Sequence, residues 1–325
     1  MQMNKQDKIL ITGAEGFVGS ALGVFLASEG FTNVLGVAGT RQGVDLGDDA
    51  DLGWVFDLNP DVVIHLATRL PSKENCLDYP AGMMYENVFV TSKVLEEARL
   101  GGCKKFITMW DSSCYPERQI IPYKESDLWE GCSHWTKRYY GNSAKVMMEM
   151  TMAFATQFPE MPCINLISPE IYGPNSGFNP KKNKTIEAAI TNIRTSQDHD
   201  RDLTISGSSK LTRDFLYISD ATKALYKSIV YAEESGVYNI SEGIDYSLKE
   251  LHEIIAEQCD FEGKIFWSEE EQDIQERTCL NISSAKKELQ WKPLVSLREG
   301  LEKTLEYHDL NLTTKYLRED SILQR

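Results

Sequence analysis

The stretch Gly13-Ala14-Glu15-Gly16-Phe17-Val18-Gly19 separates a short apolar run, residues 8–12, from residues 16–29, where Val18, Leu22, Phe25 and Leu26 recur at helical spacing. A strand, a tight turn and a helix with three glycines three apart suit one task. The first glycine permits the turn, the second lets a pyrophosphate approach the backbone, and the third lets the helix pack closely on the strand. The amides that open the helix then face the phosphates. Glycine also serves purely structural turns, so the rest of the chain decides the reading.

Downstream, strand and helix keep alternating. Residues 34–37 read as a strand, and 61–67 (DVVIHLA) are nearly continuously apolar, as a strand covered on both faces requires. A helix is expected over 87–100, a strand over 105–109, a helix over 140–157 and a strand over 163–168. Such alternation implies right-handed crossovers and an open, mostly parallel sheet. The expected fold is α/β: a Rossmann doubly wound parallel sheet, residues 1–168, followed by a smaller C-terminal α/β lobe, residues 169–325. Exchange of segments between the lobes after residue 200 is left open. Short strands are expected at 203–205, 236–240 and 264–267, and helices at 248–258, 284–289 and 297–308.

With 325 residues, 42% hydrophobic and 26% charged, the composition is that of a globular protein with a sizeable core. The net charge of −15 argues against nucleic acid or an anionic membrane as partner, since either needs a basic surface. It leaves anionic small molecules open, because a few arginines aimed into one cleft suffice. The seven cysteines form no C-x-x-C pair, so neither a disulfide framework nor a metal site is expected. The polar start and the lack of a long apolar run give a cytoplasmic expectation.

The second strand ends Gly36-Val37-Ala38-Gly39-Thr40-Arg41. No carboxylate stands there to bond a free ribose 2′-hydroxyl, whereas Arg41 suits a 2′-phosphate. NADP(H) is therefore the expected cofactor, with NAD the alternative. A solvated loop arginine is the competing reading of Arg41.

Taken in order, the Gly13 to Gly19 loop, Asp45-Leu46-x-Asp48, His65-Leu66-Ala67, Asn87, Ser112-Ser113-Cys114-Tyr115-Pro116, Ala144-Lys145, Tyr172-Gly173-Pro174 and Arg213-Asp214-Phe215-Leu216-Tyr217 span nearly the whole chain. Together they resemble the extended short-chain dehydrogenase/reductases that act on nucleotide sugars. The Ser-Ser-Cys-Tyr-Pro segment, followed by Glu125-Ser126-Asp127-Leu128, is most similar to the GDP-L-fucose synthase subgroup, a 3,5-epimerase and NADPH-dependent 4-ketoreductase. The resemblance implies catalysis in a cleft between the lobes. It implies a cofactor held by Gly13, Gly16, Phe17, Val18, Arg41, Asp45, Leu46, Leu66, Ala67 and Lys145. A nucleotide-diphosphate sugar, with GDP favoured, would be held by Asn87, Lys184, Arg213 and Arg277. For the two arginines the chemistry agrees, since a guanidinium meets a pyrophosphate bidentately; surface salt bridges are the alternative. A homodimer through the helix after Asn87 and the catalytic helix is implied as well.

The family's catalytic pair is a tyrosine and, four residues later, a lysine on the same helical face. The lysine lowers the tyrosine pKa and holds the nicotinamide ribose, while the tyrosine exchanges a proton with the sugar oxygen. Here the sequence is Tyr139-Tyr140-Gly141-Asn142-Ser143-Ala144-Lys145. Gly141 stands four residues before Lys145, and Tyr140, five before it, lies roughly 140° around an ideal helix. A π-type bulge restores the register, a late helix start lets Tyr140 reach in from a loop, or the tyrosine role is absent.

The strand end offers two registers. Without a gap, Asp111 takes the family's serine position and Ser113 that of its epimerising cysteine. With one residue deleted before Tyr115, Ser112 and Cys114 take those positions. If Asp111 lies beside the substrate it is a general acid or base; otherwise it is a cap that closes the strand. Lys184 stands where the family has a histidine acid. Two classes of function lead, ahead of an oxidoreductase for a neutral non-nucleotide substrate, which would leave Arg213 and Arg277 without a partner. One is an NADP(H)-dependent enzyme acting through a 4-keto sugar, with ketoreduction first and 4-epimerisation or 4,6-dehydration as alternatives. The other is a binding protein that keeps the cofactor fold without the chemistry.

Overall fold

The computed structural model describes residues 4–39, 43–72, 74–117, 120–176, 185–268 and 275–323, with side chains given up to residue 310. β1 (Ile9–Thr12) enters the glycine loop and α1 (Phe17–Ser28) leaves it. There follow β2 (Val34–Val37), α2 (Asp49–Phe56), β3 (Val62–His65), α3 (Pro80–Leu100), β4 (Lys105–Asp111), α4 (Arg138–Gln157) and β5 (Cys163–Ser168). Every residue of β1, β3 and β5 is buried, which is why these strands are apolar runs rather than alternating ones.

The remaining chain gives β6 (Glu170–Tyr172), α5 (Thr185–Asp198), β7 (Leu203–Ile205), β8 (Thr212–Tyr217), α6 (Ile218–Tyr231) and β9 (Gly236–Asn239). Then come β10 (Asp245–Ser247), α7 (Leu248–Gln258), β11 (Ile265–Trp267), α8 (Ser283–Glu288) and α9 (Leu297–Leu323). The central sheet runs β2-β1-β3-β4-β5-β9, and all its pairings are parallel. A division at 168/169 is therefore no clean cut. β9 pairs with β5, Ile164 opposite Gly236, and α6 packs its Ala221 and Leu225 into one core with Leu22 and Leu26 of α1. The second lobe keeps β10-β8-β6 and β11-β7, with its own core between α5, α7 and α9.

The elements β6, α5, β8, α6 and β10 are additions to those expected, and two further differences have local causes. The helix expected from residue 87 starts at Pro80, where proline needs no amide bond. Its first turns carry Gly82 and the exposed Tyr85, which hide the apolar stripe. α2 was not anticipated, although Asp48 caps it by accepting the amides of Ala50 and Asp51 at 2.9 and 3.1 Å.

Candidate active site

The glycine loop hangs from β2, where the amides of Gly13 and Ala14 both donate to the Val37 carbonyl, at 2.9 and 3.2 Å. Gly13 has φ +72°, and a Cβ there would meet the backbone of Leu66 and Ala67 at 2.9 Å. A Cβ on Gly19 would stand 2.3 Å from the Gly13 carbonyl oxygen. The loop is thus a bare backbone cradle at the start of α1, and Gly16, at the N-cap, has no side chain to place over Phe17 and Val18. These are the features that a dinucleotide pyrophosphate requires, so the residues present fit that group.

Beneath the cradle lies a buried polar chain. Thr12 Oγ1 accepts the Ala67 amide at 3.3 Å and lies 2.8 Å from His65 Nδ1, while His65 Nε2 lies 3.1 Å from Thr91 Oγ1. The ring is neutral: one of its nitrogens donates to the threonine hydroxyl facing it and the other accepts from the threonine on the opposite side. Complete burial pushes the imidazole pKa down to about 4. The unfolded chain, with its histidine near 6.5, then binds the extra proton between about pH 6.5 and 4, so stability rises with pH through that window. Moving from pH 7.5 to pH 5 is expected to cost about 2 kcal/mol through this residue alone. Urea unfolding of the wild type and of His65→Gln at both pH values checks it. Equal acid losses in the two proteins would remove His65 as the cause.

Several expected cofactor and substrate residues have other work. Leu46 is buried in the core with Leu10, Val37 and Leu52, and so supports the site from below. Asp45 is exposed, and its Oδ1 accepts the Gly47 amide at 2.8 Å. Asn87, expected against the substrate, is buried and spends its amide on the backbone of Arg69, accepting at 2.8 Å and donating at 3.0 Å. These two bonds tie down the backbone at Arg69. Arg41 and Lys184 lie outside the described residues.

At the end of β4 the two registers collapse into one tight turn. Asp111 Oδ1 accepts the Ser113 amide at 2.8 Å, capping the 3-10 turn Ser112–Cys114. The capping role of Asp111 is realised. Ser112 is half-buried, and Ser113 Oγ is buried with no hydrogen-bond partner among the described residues. Cys114 is fully buried, and desolvation drives its thiol pKa far up. That corrects its expected place as an accessible epimerising group.

The catalytic helix is regular. α4 is an α-helix from Arg138 onward, so neither a bulge nor a late start brings Tyr140 onto the face of Lys145. Tyr140 is instead fully buried, its hydroxyl accepts the Asp111 amide at 2.8 Å, and burial raises its pKa well above the ordinary value. This corrects the expectation that it serves as an activated proton donor: the lysine-facing hydroxyl the family uses is not supplied by Tyr140.

What lies beside Lys145 is a strap, residues 131–133, that the sequence did not flag. Ser133 bridges Pro116 in antiparallel fashion, the Glu117 amide donates to the Cys132 carbonyl at 3.2 Å, and Ser133 Oγ donates to the Cys114 carbonyl at 2.9 Å. Ser133 packs directly on Gly141: a Cβ on that glycine would lie 2.0 Å from Ser133 Oγ and 2.7 Å from its Cβ. Lys145, 8% exposed, donates its Nζ to the Gly131 carbonyl at 2.9 Å. Burial lowers the pKa of this amine, against opposing influences of the Cys114 and Cys132 thiols. The only sequence signal for the strap was the missing side chain at 141.

In the second lobe the structure brings the two arginines together at the start of β8, the middle strand of its sheet. Thr212, next to Arg213 on β8, pairs with Arg277. Arg213 donates to the carbonyls of Thr212 and Glu276 at 2.6 and 3.3 Å. Arg277 forms a two-pronged pair with Asp245, at 2.7 and 2.9 Å, which fixes its guanidinium plane while leaving it half-exposed.

Comparison with known proteins covers both lobes. The NAD dependent epimerase/dehydratase family matches residues 9–241. A putative GDP-L-fucose synthase 2 of Arabidopsis thaliana is 28% identical over 317 residues, covering 96% of this chain and 95% of that protein. The GDP-L-fucose synthase of Sinorhizobium fredii is 27% identical over 301 residues, covering 92% and 94%. The solved structure of a GDP-mannoheptose C4 reductase from Campylobacter jejuni with NADP bound shares the fold, with TM-score 0.83, 24% identity, and coverage of 94% of this chain and 99% of that one.

Proposed function

The chain belongs to the NAD dependent epimerase/dehydratase family, and we propose that it is an NADP(H)-dependent reductase of a 4-keto nucleotide sugar, with a GDP-sugar favoured. The observation that carries this reading is the glycine cradle, closed to any side chain at Gly13 and Gly19, within a chain similar along its whole length to GDP-L-fucose synthases. The bound dinucleotide supplies a hydride. The chain would supply the rest: the loop and the amides of Phe17 and Val18 would hold the pyrophosphate, with the Leu66 and Ala67 backbone behind Gly13, and Lys145 would serve the nicotinamide end. Ketoreduction is favoured over epimerisation because Cys114 is sealed from the cleft. Purified protein mixed with NADPH and GDP-4-keto-6-deoxymannose is expected to lose the nicotinamide absorbance. Tight NADPH binding without that loss would favour a second reading, a dinucleotide-binding protein without catalysis, which the burial of Tyr140 motivates.

Arg213 and Arg277 are proposed to take the nucleotide diphosphate, with Asp245 holding Arg277 in plane. Replacing both with alanine is expected to raise the KM for the nucleotide sugar ~100-fold and leave NADPH affinity unchanged. Titration of each ligand separately checks it; a fall in NADPH affinity alone would assign the arginines elsewhere. A homodimer through α3 and α4 belongs to the same reading. Tyr85 and Phe89 of α3 are exposed with their rings stacked at 5.3 Å, and Val146 of α4 is exposed as well. A cytoplasmic location fits these charged, membrane-impermeant substrates.

A further inference from the structure

On a helix that carries Lys145, the side chain four residues earlier lies beside the amine. Gly141 provides none, and the space is filled from outside the helix. Ser133 occupies the root of the absent side chain, within 2.0 Å of where its Cβ would stand, and the Gly131 carbonyl closes on the lysine Nζ at 2.9 Å. The strap therefore fills the root of the family's tyrosine and supplies the acceptor that Lys145 bonds. Tyr140 is not a substitute, since its hydroxyl is buried against the Asp111 amide. Lys145 pairs with no carboxylate among the described residues, and a neutral carbonyl is its hydrogen-bond partner. The titratable groups whose charge bears on it are the thiols of Cys114, in the turn after β4, and Cys132, on the strap, with Asp111 acting on Cys114 in turn. An ammonium held only by a carbonyl and partly stripped of water gives up its proton more readily than one in an ion pair.

We propose that Lys145 is itself the proton donor to the substrate's carbonyl oxygen, and that the strap of residues 131–133 positions its ammonium in the tyrosine's stead. This rests on the ketoreductase reading above. Lys145 gives its proton to the oxygen of the carbon that receives a hydride from the reduced dinucleotide. One N–H bond breaks and one O–H bond forms, and the free amine regains a proton from water. Lys145 is the catalytic residue; Ser133, which pins the strap to the Cys114 carbonyl, is a positioning residue.

The test uses the full chain and three readouts: NADPH affinity by fluorescence, single-turnover reduction of GDP-4-keto-6-deoxymannose across pH 6 to 10, and the pH dependence of Lys145 modification by an amine reagent in the cofactor-free protein. The wild-type rate should fall above the pH at which Lys145 becomes reactive. Lys145→Arg should keep NADPH affinity within about threefold and lose ~100-fold or more in turnover. Ser133→Ala should shift the pH profile of turnover and of Lys145 modification together, which simple loosening of the fold does not do. A ~100-fold loss in Tyr140→Phe with NADPH binding intact would overturn the proposal in favour of the tyrosine. A Lys145→Arg protein whose losses are entirely in NADPH affinity would overturn it too, leaving the lysine a cofactor-holding group. A wild type that binds NADPH but reduces no 4-keto sugar would overturn the ketoreductase reading and this proposal together.

Discussion

Gly141→Tyr, the change that writes a tyrosine back four residues before Lys145, is expected to yield an inactive protein destabilised by ~3 kcal/mol or more. The sequence invites the opposite guess, since the substitution restores the spacing of the family's catalytic pair. Ser133 stands in the way, with Oγ and Cβ at 2.0 and 2.7 Å from the new Cβ, and the Ser113 carbonyl oxygen is at 3.2 Å. Two of these atoms belong to a short buried side chain that cannot swing aside, so the strap must lift and release the Gly131 carbonyl from Lys145. Gly141→Ala alone should cost ~1–3 kcal/mol. Combining it with Ser133→Gly should recover most of that loss, because both obstructing atoms go. Urea unfolding of the single and double variants forms a closed cycle whose coupling energy reads the contact directly. A stable and more active Gly141→Tyr protein would show that the strap does not fill this site.

Gly19→Ala is expected to raise the Kd for NADPH ~100-fold, about 2.7 kcal/mol. The new methyl would lie 2.3 Å from the Gly13 carbonyl oxygen and 2.9 Å from the Ala14 Cα, both backbone atoms. The loop cannot retreat toward β3, because Gly13 already sits where a Cβ would touch the Leu66 and Ala67 backbone at 2.9 Å. It must rise instead into the space where the pyrophosphate binds. Gly23, one turn further along α1, is the control: a Cβ there meets nothing within 4 Å. Gly23→Ala should keep full NADPH affinity and add up to ~1 kcal/mol of stability from helix propensity. Fluorescence titration of both proteins decides; equal affinities would mean that the loop is not the pyrophosphate cradle.

The first lobe was legible because its strands are buried on both faces and its turn chemistry is local. β1, the glycine loop and α1 lie within one short stretch, and each residue type there answers a constraint a few positions away. The active site was less legible because its decisive contacts join segments that carry no motif. Ser133 matters only through its contact with Gly141, and that contact depends on α4 starting at Arg138. The spacing of Tyr140 and Lys145 correctly exposed a fault in the catalytic pattern, but not what had replaced it. Asp245 and Arg277 are 32 residues apart and meet only because β10 and the segment at 277 flank β8 on opposite sides. Asn87 illustrates a different limit. An asparagine that lines a cleft and one that ties down a turn have the same sequence, and only the Arg69 backbone at 2.8 and 3.0 Å tells them apart.

The pairing of β9 with β5 also governs how the chain is made. On the ribosome, β5 is complete at Ser168, yet its outer edge gains its partner only when Asn239 has emerged. Meanwhile a strand apolar but for Asn165 and Ser168, its outer amides and carbonyls unpaired, waits beside the strands β1 to β4 already synthesised. Synthesis at ~5–20 residues per second leaves that edge open for several seconds. Within that interval the nascent chain is vulnerable to edge-to-edge pairing with a neighbouring copy, and a fragment ending between the lobes would carry the same open edge permanently.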